Sequence, residues 1–197
     1  MKYWVIYPVM ISDAAVLTRV PKVGPKAYKY FKGISLLDEC PSQDEMTMNY
    51  DDDYPEGIKL YDILSNIRDL IVANSKVKEC LDGLGVANVE YIPISLLNHK
   101  KELVSQDYFI LNPLCCENII DMDKSEYRMD PLDEGQIASI DNMVVDFEQV
   151  AESAKFFRAS KKKDSFFITD DVKQAFEAAE ITGYKLFEAE GWDGLDI

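Results

Sequence analysis

DLIVANSKVKECLDGLGVANVEYI, residues 69–92, and DSFFITDDVKQAFEAAEITGYKLF, residues 164–187, align without a gap at a constant offset of 95. Asp69 falls on Asp164, Val77-Lys78 on Val172-Lys173, Leu81 on Phe176 and Val86 on Ile181. Each copy reads as a short apolar strand, a polar capping pair, a helix of about ten residues and a second strand. Asn74-Ser75 and Thr169-Asp170 offer oxygens to the first free N–H groups of the helix. Val77, Cys80, Leu81 and Leu84 in one copy, and Val172, Ala175, Phe176 and Ala179 in the other, recur at helical spacing and should face a sheet. Gly83 and Gly85 follow the first helix, where they act as its stop rather than as a phosphate cradle. The two units are either copies of one ancestor or independent uses of a common motif.

Upstream, Leu60, Ile63, Leu64, Ile67, Leu70 and Ile71 also recur at helical spacing. They predict a helix from Gly57 to about Arg68, then a buried strand from Leu70 to Ala73. Between the copies the pattern turns to strands: VEYIPISLL, DYFILNPL, NIIDM, IASIDNMVVDF and AKFFRA. Polar turns such as NHKKE, KSEYRMDPLDEG and SKKKDS separate them. The expected fold is α+β, a mainly antiparallel sheet carrying the helices of the two strand–helix–strand units, about 69–92 and 164–187.

The chain has 197 residues, 47% of them hydrophobic, with 9 Phe and 11 Tyr. This supports one domain over 1–197 with a sizeable core. Charge is segregated along it. Residues 1–33 are basic, with Lys2, Arg19, Lys22, Lys26, Lys29 and Lys32 against Asp13 alone. Residues 34–57 carry acids and no base, ending in DDDYPEG. Their Pro, Ser, Asn and Asp content reads as a loop, and a loop of this length is often functional. Residues 117–152 are again acidic, relieved by Lys124 and Arg128. A net charge of -15 excludes a general nucleic-acid binder, which needs positive charge to displace phosphate counterions. It favours solubility and would steer a basic partner into place.

MKYWVIYPVM shows no signal-peptide pattern, and no stretch approaches the length that spans a bilayer. Cys40, Cys80, Cys115 and Cys116 follow no disulfide spacing, so reduced thiols in a cytoplasmic protein are expected. Catalytic and cofactor chemistry finds no anchor. Zinc needs two close ligand pairs, whereas Cys115 and Cys116 are adjacent and His99 is the sole histidine. The stretch from Asp121 begins like a calcium loop, but Glu126 and Leu132 stand where glycine and glutamate are required. A Cys–His nucleophile would need His99, in the turn LLNHKKE, to reach Cys115 or Cys116. The expectation is no catalytic residue, no metal and no cofactor.

An apolar strand leads to NPL and then to IIDMDKSE. Downstream come a strand ending in FR, a polar tip, a capped helix, and TG before an aromatic strand. With Asn112, Asp121, Asp123, Ser125, Phe157, Arg158, Thr182 and Gly183 as its markers, residues 69–188 resemble immunity protein family eleven. This is a group of bacterial immunity proteins of polymorphic toxin systems, formerly a domain of unknown function. The resemblance implies a cytoplasmic protein that binds and neutralises a cognate toxin without catalysis. Charge adds that the toxin is basic, and that neither nucleic acid nor membrane is a partner. The contact candidates are Tyr50, Asp51, Asp52, Asp53 and Tyr54, together with Trp192 and Asp193 in the tail. For these, Tyr50 and Tyr54 covering a core edge, or Trp192 docking the C-terminus, is the plainer alternative. Two other functions stay open: a small enzyme using Cys/His or carboxylate chemistry, and a homo-oligomeric structural module pairing through sheet edges.

Overall fold

The computed structural model describes residues 2–195. Among them the strands are β1 (Tyr3–Pro8), β2 (Thr47–Asn49), β3 (Ile63–Leu64) and β4 (Val72–Asn74), which leads into α1 (Ser75–Gly83). Then come β5 (Val89–Leu97), β6 (Leu103–Pro113), β7 (Cys116–Glu117), β8 (Glu126–Met129) and β9 (Ile137–Asn142). The chain closes with β10 (Phe156–Ala159), β11 (Lys162–Thr169), α2 (Asp170–Ala178) and β12 (Tyr184–Glu188). One sheet has the order β12-β1-β11-β10-β7, a second β2-β5-β6-β4-β3, and β8-β9 form a separate ribbon. The fold is therefore mixed α and β, mostly sheet. The sheets are mixed too: β2 runs parallel to β5 and β7 parallel to β10, so the antiparallel expectation holds for most ladders but not for all.

The helix expected from Gly57 to Arg68 does not form. Ile63 and Leu64 pair instead with Ala73 and Val72, and successive residues there are both buried. Cross-strand pairing overrides a spacing that suits a helix equally well. A turn follows, built by buried Asn66. Its side chain donates to Leu70 O at 2.7 Å and accepts from the N–H groups of Arg68 and Leu70 at 3.1 Å each. Asp69, in this turn, takes a left-handed φ of 53°.

The helices end alike. Val86 N donates to Leu81 O at 3.1 Å, and Ile181 N to Phe176 O at 2.9 Å. This bond satisfies a free carbonyl, and it requires a left-handed residue just before it. In α1 that residue is Gly85 (φ 70°); in α2 it is Glu180 (φ 52°), which crowds its Cβ against its own backbone. Glu180→Gly should therefore stabilise the chain by about 0.5 kcal/mol, the relief of strain exceeding the entropy that glycine adds to the unfolded state. Gly85→Ala should cost about 1 kcal/mol. Thermal melts of the two variants check both signs.

The correspondence extends beyond the helices. β1 lies between β11 and β12 with Tyr3 opposite Thr169 and Pro8 opposite Tyr184. β6 lies between β4 and β5 with Tyr108 opposite Asn74 and Pro113 opposite Val89. These are the same register positions, and the two strands read alike: YWVIYP at 3–8 and YFILNP at 108–113. The chain thus consists of two consecutive units, each a first strand, a long irregular excursion, a hairpin, a helix and a last strand. Each unit gives its first strand to the sheet of the other. Finer features repeat as well. Lys78 lies over the Tyr91 ring at 4.9 Å, and its counterpart Lys173 over the Trp4 ring at 4.5 Å. Lys76 pairs with Asp62 at 3.3 Å, and the same two positions hold the pair with reversed charges, Asp171 with Lys155 at 2.7 Å.

The exchanged strand β1 is buried on both faces. Ile6, Phe156, Phe166 and Ile168 enter one core, shared with both helices and the second sheet. Tyr3, Val5, Phe157 and Phe167 alternate with them and enter another, roofed by residues of the 119–154 excursion.

Candidate functional site

The residues with reactive chemistry are held in structural contacts. Cys115 Sγ donates to Glu117 Oε1 at 2.5 Å. Burial and then this carboxylate push its thiol up to about 12, which leaves almost no thiolate to act as a nucleophile. His99 Nε2 lies 3.1 Å from Asp51 O, and its ring meets the Tyr50 ring edge-on at 5.5 Å. A carbonyl only accepts, so Nε2 carries the proton and donates it. His99 is thereby spent on bracing the acidic loop. Among the described residues no group of His, Cys, Asp and Glu has metal-binding geometry.

The residues that stood out in the sequence fall into three stitches between elements. Arg158 is fully buried. It donates from Nε to Pro113 O (3.1 Å), from Nη1 to Lys163 O (2.7 Å), and from Nη2 to Tyr30 O (2.8 Å) and Asn112 Oδ1 (3.2 Å). Asn112 donates onward to Glu90 Oε2 at 3.0 Å, and Glu90 holds Ser35 Oγ and Leu36 N. The 30–36 segment is thus pinned to β5, β6 and β10. Asp121 closes the second stitch, accepting from Asp123 N, Lys124 N and Lys124 Nζ, while Ser125 Oγ accepts from Val144 N at 2.9 Å. In the third, Asp62 accepts from Asn74 Nδ2, Thr182 Oγ1, Thr182 N and Lys76 Nζ. Burial alone would raise the Asp62 carboxyl, but the hydrogen bonds from Asn74, Thr182 and Lys76 outweigh it and hold it below its usual value. That stabilisation is complete above the unfolded carboxyl pKa and is lost as pH falls through the folded one. Beside it Gly183 (φ 91°) admits no side chain, because a Cβ would sit 1.9 Å from Ile63 O.

A sequence model described as Immunity protein family (Imm11) matches residues 43–191, about three-quarters of the chain. The chain belongs to the Imm11 immunity protein family. Among curated proteins none matches it. The Imm11 match takes in the second and third stitches and the Arg158, Asn112 and Glu90 side chains of the first, while β1, the basic segment and the pinned 30–36 segment lie before it. The residues that resemble the family are therefore parts of the scaffold, and a partner surface has to be sought on what the scaffold displays.

The structure separates the expected contact residues. Tyr50 is 1% exposed and belongs to the first core; Trp192 is 3% exposed and belongs to the second. Trp192 donates from Nε1 to Leu195 O and packs 6.0 Å from the Tyr7 ring, docking the C-terminal turn. Asp193 is exposed in that turn, where it accepts from Leu195 N at 3.1 Å. Asp52, Asp53 and Tyr54 are exposed in the loop, and Asp51 is half-buried. The loop is ordered by its own backbone. Asp51 N donates to Val16 O, Tyr54 N to Asp51 O and Gly57 N to Tyr54 O, with Asp53 N on Asp51 Oδ1. Asp51, Asp52, Asp53 and Glu56 form no ion pair among the described residues.

Next to this loop lies a groove of about 470 Å³. Met10, Tyr54 and Ile67 line it at 53%, 42% and 51% exposure, with Val9 and Val16 among the other walls. A second cleft, of about 420 Å³, shares Tyr7, Ile67 and Asp69 with it. The hairpins of the two units meet in this cleft, one through Arg68 and Asp69 of its tip and the other through Lys162 to Ser165 at the start of β11. A Lys32–Asp133 ion pair of 3.1 Å lies along it. The groove has no signature in the sequence. Ile67 carries the helical spacing of a core residue, and Met10 belongs to an unremarkable apolar run.

Proposed function

We propose that this chain is a cytoplasmic immunity protein of a polymorphic toxin system, and that it neutralises a basic cognate toxin by binding it, without catalysis. Membership of the Imm11 family is the observation that carries the reading. The placement of His99 and Cys115 agrees with it, since each is engaged in holding a loop rather than facing a shared pocket. The net charge of -15 supplies the attraction that speeds encounter with a basic protein. We assign the approach surface to Asp51, Asp52 and Asp53, which are held in place and unneutralised, with Tyr54 beside them; Asp193 is a separate, weaker candidate.

The test is protection of cells by co-expression with the toxin whose gene adjoins its own. The wild-type chain should rescue growth. Replacing Asp51, Asp52 and Asp53 together by Asn should slow association about tenfold at low ionic strength, with a much smaller change in dissociation. Association that is indifferent both to the triple change and to salt would remove this surface while leaving neutralisation intact.

A further inference from the structure

We propose that the groove between the Tyr54 loop and the Ile67 turn receives an apolar side chain from a basic segment of the partner, and so supplies the affinity that charge alone cannot. The proposal rests on the immunity reading and deepens it. Large apolar side chains exposed singly are ordinary on protein surfaces. Here Met10, Tyr54 and Ile67 converge on one groove from three separate stretches of chain. Two of the three stand on ordered backbone. Ile67 stands on the turn that Asn66 locks with three hydrogen bonds, and Tyr54 on the loop closed by Asp51 and Gly57. A pre-ordered apolar recess loses little entropy when it is filled, which is what interface anchors require.

Charge and chemistry select the occupant. The loop that brings Tyr54 to the groove also carries Asp51, Asp52, Asp53 and Glu56, while the groove's own lining holds one charge of each sign among the described residues, Asp69 and Lys185. A second copy of this chain would bring the same acidic loop and the same net charge, so like charges would meet. A small polar ligand would need convergent polar groups to orient it. Of the polar side chains lining the groove, Ser65 and Asn66 are buried, with the Asn66 amide occupied by its own turn, and Tyr7 and Asp69 are engaged in interactions of their own, which leaves Lys185 and Tyr54. An apolar side chain flanked by Lys or Arg fits both parts, the recess taking the side chain and the adjoining acidic loop its neighbours.

Two substitutions separate anchoring from steering. Ile67→Asp makes the surface more acidic while filling the apolar wall with charge, and Tyr54→Ala removes the aromatic wall. Each should weaken binding of the toxin encoded beside the chain by about 30-fold or more, mainly through faster dissociation. Leu132→Asp serves as a control, since Leu132 is 94% exposed and lies outside the groove; its binding should stay within twofold. All three positions are on the surface, and unchanged melting curves establish that the variants fold. If wild-type chain neutralises the toxin while Ile67→Asp and Tyr54→Ala bind equally well, the groove proposal is overturned and the immunity reading stands.

A second measurement does not depend on that toxin. The peptides Lys-Lys-Trp-Lys-Lys, Lys-Lys-Gly-Lys-Lys and Glu-Glu-Trp-Glu-Glu are titrated into the wild-type chain while amide shifts are followed by NMR. Only the first should move Val9, Met10, Tyr54 and Ile67 together. Equal shifts with the glycine peptide, or shifts centred elsewhere, overturn the groove even where no toxin is neutralised.

Discussion

A chain lacking residues 1–8 is expected not to fold. Terminal residues are usually expendable, but these form β1, which occupies an interior position between β11 and β12. Its removal breaks two ladders at once, leaving β12 without a partner and β11 with β10 alone. It also empties both cores, because Val5 (0% exposed) and Tyr3 (4%) face one and Ile6 (2%) the other. Burial of three such side chains is worth roughly 5–8 kcal/mol. The lost ladder hydrogen bonds, at about 1 kcal/mol each, come on top. Together these match the whole stability of an ordinary domain, about 5–15 kcal/mol. Circular dichroism should show the cooperative melt abolished, and a synthetic peptide of residues 2–10 added in trans should restore part of it. A fragment trimmed to the family match, residues 43–191, should fail for the same reason. A truncated chain melting near the wild-type temperature would disprove the exchange of strands.

The second large effect is expected at Arg158. Its guanidinium satisfies three backbone carbonyls and the Asn112 amide oxygen inside the protein, and lies 4.5 Å from the Phe166 ring centre. Burial lowers its pKa to about 10, so it remains charged at neutral pH. Arg158→Ala removes every donor while the acceptors stay buried, and leaves a cavity where the side chain stood. Such a change costs about 3–5 kcal/mol. Arg158→Lys keeps the charge, yet an ammonium cannot span acceptors arranged around a planar fork, so it should lose about 2–4 kcal/mol. Urea denaturation at constant m-value measures both, and a loss below about 1 kcal/mol in Arg158→Ala would show that water replaces the guanidinium.

Much of the architecture was legible where local signals agreed. The cap at Asn74, the apolar spacing of both helices and the glycine stop at Gly85 agree with the observed helices, whereas Thr169 stands at the cap position of α2 without capping it, its hydroxyl donating instead to Asp171. The exchange of first strands was not legible. The helical units recur at an offset of 95 but the exchanged strands at 105, because the two excursions differ in length, and an ungapped comparison passes over them. The stretch 57–68 misled because Ile63 and Leu64 satisfy helical and strand patterns alike, and only the partner β4 decides. Of the expected contact residues, Asp52, Asp53, Tyr54 and Asp193 are displayed, Asp51 is half-buried, and the aromatic Tyr50 and Trp192 are interior. Composition marks an aromatic residue as adhesive without saying whether its own chain has already claimed it. The groove was hidden for a related reason: its walls are remote in sequence and each is ordinary alone.

Strand exchange also sets a clock. β1 leaves the ribosome first, whereas the strands that flank it, β11 and β12, are made last. At about 5–20 residues per second, the first strand waits roughly ten to thirty seconds for its neighbours. Throughout that interval YWVIYP is an unpaired apolar segment that the growing chain must keep from sticking elsewhere. A messenger cut short before α2 yields a chain whose second sheet has all its strands but whose first lacks β12, so β1 keeps a bare edge and the shared core lacks Val172 and Phe176. Whatever protection the chain gives begins only once its last strand has been made.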